Sequence, residues 1–267
     1  MERSHLLLVG IDGLRADLAT APRAPHLHAL MARGATAAMT IATPTISGPS
    51  WATLLTGATV AEHGVVDNRF VGSRLAEFPD LLSQAWSADP SRTTFAAAAW
   101  PPLVDPAGVG PVIHTRDDQR RAERHRVVVR DGETYGYRTA DAEIADVAVA
   151  GLRAAGPDVS FVHFSDVDEA GHVYGAVSRQ YVAAIGRVDA HLGRLLAVVD
   201  HRARAGERWT LAVTTDHGHV DGGGHGGDEP EVTASFVARS AWNMPLDAWP
   251  ASIAPTELTP RLLAALG

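Results

Sequence analysis

Acids and histidines beside glycines recur along this chain in a fixed order. They run Asp12-Gly13, then Asp168-Glu169-Ala170-Gly171-His172, then Asp216-His217-Gly218, then His225-Gly226-Gly227. Mixed carboxylate and imidazole ligands suit Zn²⁺, with Mn²⁺ or Fe²⁺ as alternatives. Asp168 and His172 are four apart and read as facing one cation across a glycine turn. Asp216 and His217 are adjacent, so a sharp turn must aim them at one centre or at two neighbouring ones. Two such centres about 4 Å apart would clamp the attacking and leaving oxygens of an in-line phosphoryl displacement. A nucleophile is available in Thr43-Pro44-Thr45-Ile46-Ser47-Gly48-Pro49-Ser50-Trp51, ahead of a short helix. A hydroxyl there would meet backbone N–H groups able to hold an anion. Thr45, Ser47 and Ser50 are the candidates, and metal coordination would activate the one that reacts.

Each group follows an apolar run that reads as a strand. Leu6–Ile11 stops at Asp12, Val159–Phe164 precedes Asp168, and Trp209–Thr214 ends before Asp216. Thr93–Ala99 and Val232–Ala238 read as further strands. Unbroken apolar runs of this length suit the buried strands of a parallel sheet. Helices are expected over 22–34, 49–56, 77–86, 140–155, 178–199 and 259–266. The 178–199 segment carries Tyr181, Ile185, Val188, Leu192, Leu195 and Val199 in one stripe. Strands alternating with helices predict an α/β fold, a mostly parallel sheet covered on both faces. Ligands in such sheets sit beyond the carboxyl ends of the strands, which gathers distant residues onto one edge. Residues 103–139 read as a small cap or insertion within a single domain spanning 1–267. Val127-Val128-Val129 before Asp131-Gly132 suggests a hairpin there.

The composition, 46% hydrophobic and 20% charged, is that of a folded globular domain. A net charge of −8 argues against a broad nucleic-acid or acidic-membrane surface. Every Lys/Arg-type residue is Arg, a pattern that coding bias explains. The chain has no Cys, which removes disulfides and thiolate ligands. No leader-like segment or apolar run of about 18 residues is present, so a cytoplasmic protein without a membrane span is expected.

Together the motifs resemble the nucleotide pyrophosphatase/phosphodiesterase branch of the alkaline phosphatase superfamily. The matching stretches are Asp12-Gly13-Leu14-Arg15-Ala16-Asp17, Ser47-Gly48-Pro49-Ser50 through Leu55-Thr56-Gly57, and His63-Gly64-Val65. They continue with Asp168 to His172, Asp216-His217-Gly218 and Gly224-His225-Gly226-Gly227, and close with Ile253-Ala254-Pro255-Thr256. The resemblance implies an alkaline-phosphatase-like fold with two divalent metal ions, Zn in first place and Mn as the alternative. It places one ion on Asp168, His172 and His225. It places the other on Asp12, Asp216, His217 and the Ser47 hydroxyl. Ser47 would attack phosphorus and form a phosphoseryl intermediate. Ser50 stands where many relatives carry an Asn that helps bind a phosphoryl oxygen, and it supplies one hydrogen-bond donor instead. The implied substrates are small phosphodiesters or nucleotide pyrophosphates. Phosphomonoester hydrolysis, phosphonate C–P hydrolysis and a non-catalytic metal-binding protein are the alternatives. Ser47-Gly48-Pro49-Ser50-Trp51 lacks the Arg of the Cys/Ser-x-Pro-x-Arg sulfatase pattern.

The remaining polar residues have plainer roles beside functional ones. Arg15 is a candidate for a substrate phosphate, with a surface ion pair as the alternative. Asn68 is a candidate substrate-binding residue, and with Arg69 would line the mouth of the site. His219 reads as a supporting or exposed residue, and His63 as a turn residue. The arginines between 116 and 130 read as a solvated face or as a cap gripping an anion.

Overall fold

The Leu6–Ile11 run lies within β1 (Ser4–Ile11), the central strand of a computed structural model that describes residues 3–267. Met1 and Glu2, part of the expected leaderless N-terminus, lie outside the described residues. From β1 the chain runs through α1 (Pro25–Arg33), β2 (Ala35–Thr40), α2 (Ser47–Thr56), α3 (Val60–His63) and α4 (Leu81–Ala88). It then forms β3 (Thr94–Ala98), α5 (Pro101–Val104), α6 (Asp117–Arg121), β4 (His125–Val129) and α7 (Gly132–Tyr135). Next come α8 (Tyr137–Ala155), β5 (Val159–Phe164), α9 (Asp166–Tyr174), α10 (Arg179–Arg204) and β6 (Arg208–Thr214). The last elements are α11 (Pro230–Thr233), β7 (Ala234–Trp242) and α12 (Leu258–Ala264).

The seven strands form one sheet in the order β2-β7-β6-β1-β5-β3-β4. All pairings from β6 to β4 are parallel, while β7 and β2 close one edge antiparallel. Side chains alternate along β1 and so feed two cores. Leu7, Val9 and Ile11 pack with residues of α1, α8 and α10, whereas Leu6 and Leu8 pack with residues of α2, α4 and α12. The α10 stripe is buried along its length. Each such side chain contributes roughly 1.5–3 kcal/mol of transfer free energy, set against its ordering entropy.

Register is what assembles the site. Gly10 of β1 lies level with His163 of β5 and Thr214 of β6. The residues that leave these three strands therefore emerge side by side at one edge.

Four expectations change. β2 was not foreseen, because Ala-Thr-Ala-Ala-Met-Thr carries little apolar contrast and becomes a strand by pairing with β7. His125–Val129 is a parallel edge strand beside β3 and not one arm of a hairpin. The expected 103–139 cap is therefore built partly into the sheet, since its valines have β3 to pair with. The arginines there are tied locally: Arg120 to Asp117, Arg121 to Asp118 and Arg130 to Glu143. Finally, Asp168 and His172 do not flank a glycine turn. They lie one turn apart on α9, with Gly171 inside the helix.

Candidate active site

Asp12 leaves the end of β1 and is buried. Its Oδ2 accepts from the Trp51 indole Nε1 at 2.9 Å, and His163 Nε2 lies 3.2 Å from the same oxygen. Trp51 can lie against the strand because residue 10 is glycine. A Cβ there would fall 2.5 Å from the indole ring. Oδ1 is left to face Ser47, whose Oγ lies 3.3 Å away.

Ser47 opens α2, so its hydroxyl sits where the helix dipole and free amides favour an anion. The Ser47 Oγ also lies 3.2 Å from His217 Nε2. His217 Nδ1 faces the Gly218 carbonyl at 3.1 Å, and a carbonyl only accepts. Nδ1 therefore carries the proton, and the Nε2 lone pair points inward. That lone pair lies 3.2 Å from Asp216 Oδ2 and 3.5 Å from Asp12 Oδ1. Asp216 Oδ1 accepts from Gly13 N at 3.2 Å, while Oδ2 is buried without a hydrogen-bond partner.

A second group adjoins the first. Gly13 has φ +66, and a Cβ there would fall 2.6 Å from Asp168 Oδ1, so glycine at this turn lets α9 approach β1. His172 Nε2 lies 3.4 Å from Asp168 Oδ2 and 2.9 Å from His225 Nε2. His225 Nδ1 donates to the Thr45 carbonyl at 2.7 Å, so its Nε2 lone pair also points inward. The His217 and His225 rings stack with centroids 3.8 Å apart.

The start of α9 is fixed from both neighbours. Asp141 of α8 accepts from Ser165 N and Asp166 N at 3.0 and 2.8 Å, capping the helix from outside. Arg187 of α10 grips Asp166 with two bonds of 2.6 and 2.9 Å. Asp189 caps α1 in the same way, accepting from His26 N and Leu27 N.

The donor set fits divalent cations. Inward lone pairs converge: His217 Nε2 on two carboxylates, and His225 Nε2 on His172. Three carboxylates meet in a buried space, and the chain has no Lys. Burial, with the charges of Asp12 and Asp168, pushes the Asp216 carboxyl well above its usual range. Burial also raises Asp168, but hydrogen bonding to His172 and His219 outweighs it and holds that carboxyl well below the usual range. Burial pushes His217 down to about 4, which keeps it neutral and available as a ligand. Asp12, Asp216 and His217 place ligand atoms close enough to share one ion. A second cluster of Asp168, His217, His219 and His225 does likewise.

The candidate substrate residues fare differently. Arg15 is corrected: its buried guanidinium is taken up by Asp17 at 2.7 Å and Asp221 at 2.6 Å, and it pins loops instead of facing a substrate. Asn68 Oδ1 accepts from Gly48 N at 2.7 Å, beside Ser47, leaving its Nδ2 as a donor. Arg69 pairs with Asp67. Ser50 is buried one turn beyond Ser47 with its Oγ unpartnered. It lines a separate apolar cavity of about 320 Å³ with Ile41, Pro49 and Val60. The Thr45 hydroxyl is spent on the glycine loop, donating to Gly227 O and accepting from Gly226 N. His63 is buried and shares a 3.0 Å hydrogen bond with Thr53 Oγ1. Sequence reasoning missed Trp51 and Asp141, which hold Asp12 and the start of α9 in place, and His163, which packs edge-on against Trp51. Only a lone buried acid or a polar atom inside an apolar stretch could have marked them.

A family model, type I phosphodiesterase/nucleotide pyrophosphatase, matches residues 6–254. The chain belongs to this family. It is 27% identical over 224 residues to rat ectonucleotide pyrophosphatase/phosphodiesterase family member 7, covering 81% of this chain and 50% of that protein. It thus spans about half the length of the curated relatives it matches. The fold is shared with human ectonucleotide pyrophosphatase/phosphodiesterase 5 at a TM-score of 0.69 and 16% identity, over 98% of this chain and 94% of that one. It is also shared with a phosphonate monoester hydrolase from Silicibacter pomeroyi at a TM-score of 0.66 and 17% identity, over 99% and 73%. Relatives in this family are phosphate-ester hydrolases, and the alkaline-phosphatase-like α/β architecture agrees with them.

Proposed function

We propose that this chain hydrolyses phosphodiester or nucleotide pyrophosphate-type substrates at a site built for two divalent cations, with Ser47 as nucleophile. The observation that carries this reading is the Ser47 Oγ, placed at a helix start between Asp12 Oδ1 and the His217 Nε2 lone pair. Asp12, Asp216, His217 and Ser47 would hold one ion, and Asp168, His172 and His225 the other. Bound Zn²⁺ or Mn²⁺ would supply Lewis-acid stabilisation of the phosphoryl oxygens and of the attacking and leaving oxygens.

The chain's own groups define the rest. Ser47 Oγ loses its proton toward Asp12 Oδ1, the carboxylate oxygen to which it already donates. It attacks phosphorus in line, the leaving alkoxide departs on the opposite side, and a phosphoseryl ester forms. Asn68 Nδ2 is available to a non-bridging oxygen, and its Oδ1 is locked by Gly48 N. Water then displaces Ser47 from phosphorus, returning the proton to its Oγ. A monoester dianion carries one more negative charge than a diester. With Arg15 spent on Asp17 and Asp221, the charge balance favours the diester.

The test compares bis-p-nitrophenyl phosphate, p-nitrophenyl phosphate and a nucleotide 5′-p-nitrophenyl ester on zinc- or manganese-loaded protein, with Ser47→Ala alongside. Diester preference that Ser47→Ala abolishes supports the reading. Monoester preference moves the substrate class, and cleavage that survives Ser47→Ala removes Ser47 as the nucleophile.

A further inference from the structure

Proximity alone places His219 in the same donor cluster as Asp168, His217 and His225. Hydrogen-bond direction separates it from them. His217 and His225 each turn Nδ1 to a backbone carbonyl, which keeps the proton there and frees Nε2. His219 is wired the other way. Its Nδ1 lies 3.1 Å from Gly224 N, and a backbone N–H only donates. Nδ1 must then carry the lone pair, so the ring is neutral and Nε2 carries the proton. That Nε2–H points at Asp168 Oδ1, 2.8 Å away. Both ring nitrogens are used, and neither has a lone pair left for a cation.

We infer that His219 is a positioning residue: it holds Asp168 by Oδ1 and ties α9 to the glycine loop that carries His225. This rests on the two-cation reading of the site. With Oδ1 held by His219, Asp168 Oδ2 is the oxygen turned to His172. The Gly224 bond fixes the loop one residue before His225, so one imidazole registers two ligands of the same centre. Packing confirms that the ring is built in. It is fully buried, and a Cβ on Gly171 would fall 2.6 Å from its Nε2. A Cβ on Gly223 would meet the Gly171 carbonyl at 2.3 Å. Gly171 leaves room for the ring, and Gly223 lets the loop close against α9.

Two measurements test this. Long-range ¹H–¹⁵N NMR of the metal-free protein reads the tautomers directly. His219 is expected as the Nε2–H form, with His217 and His225 as Nδ1–H forms. A His219 found as Nδ1–H overturns the inference, whether or not the protein proves to be a hydrolase. The second measurement is zinc stoichiometry and affinity, by chelator competition, in His219→Gln, His219→Asn and His219→Ala. Gln keeps a donor long enough to reach Asp168, whereas the shorter Asn keeps only an acceptor for Gly224. All three should bind as many zinc equivalents as the parent. Ala and Asn should weaken one equivalent about 10–100-fold, and Gln should recover most of that. Outright loss of one equivalent in His219→Gln, as in a His225→Ala control, would make His219 a ligand. Equal weakening by Gln and Ala would leave only a packing role. If the parent binds zinc with this ranking yet cleaves no phosphodiester, the proposed activity falls and the role of His219 stands.

Discussion

Trp51→Phe separates positioning of Asp12 from packing around it. The indole N–H gives Asp12 Oδ2 its 2.9 Å hydrogen bond, and phenylalanine has no donor. A hydrogen bond to a charged group is worth about 1.5–3 kcal/mol, or about 10–150-fold in a binding constant. Asp12 keeps its Oδ1 contact with the Ser47 hydroxyl at 3.3 Å, which retains part of the constraint. The lower part of that range, about 10–30-fold weaker zinc binding, is therefore expected. The ring is also fully buried, 4.8 Å from His163 and 5.9 Å from Phe161 between centroids. Its truncation should cost about 1–3 kcal/mol of stability besides. Phe161→Leu supplies the control, since it disturbs the same packing and removes no hydrogen bond. Urea unfolding of the metal-free proteins and chelator competition for zinc are read side by side. The reasoning is refuted if Trp51→Phe weakens zinc by less than threefold, or if both variants weaken it equally.

Other predictions are simpler to read. Ser47→Ala should lower phosphodiester turnover by about 10³-fold or more while leaving the unfolding midpoint within error, measured on bis-p-nitrophenyl phosphate. Asp141→Ala should destabilise the fold by about 1–3 kcal/mol in urea, because the buried Ser165 and Asp166 amides lose their acceptor. The His125 imidazole accepts from Arg116 at 2.8 Å, and burial, then the Arg116 charge, push it down to about 4. A group depressed on folding gives stability that is present above its unfolded value of about 6.5 and lost as pH falls toward 4. His125 should thus contribute about 2 kcal/mol to the drop in unfolding free energy between pH 7 and pH 5, and His125→Gln should lessen the drop by about that amount.

The central strands and the donor residues were legible because each carried its own signal. β1, β5 and β6 are continuous apolar runs, and Asp12, Asp216 and His217 follow them directly. What was hidden depends on neighbours distant in sequence. β2 is a strand only because β7 lies beside it, and β4 only because β3 does. Asp168-Glu169-Ala170-Gly171-His172 reads as a turn from its glycine, yet Asp141 and Arg187 hold it as a helix. Arg15 allowed both a substrate phosphate and an ion pair, because nothing in the local sequence says that Asp221 arrives to claim it. The resemblance pointed to Ser47 over Thr45, and the fold adds that the glycine loop occupies the Thr45 hydroxyl.

The strand order has a consequence for how this molecule is made. β1 leaves the ribosome well before its hydrogen-bonding partners β5 and β6, which begin at Val159 and Arg208. Until they arrive, a six-residue apolar ribbon has both edges open to another chain. Such late, long-range closure slows folding and lengthens the period of exposure. A chain cut before Arg208 is expected to precipitate. The same order delays assembly of the donor set, because Asp12 and Ser47 wait for Asp216 and His217. An incomplete chain therefore has no formed cavity in which to trap a metal ion.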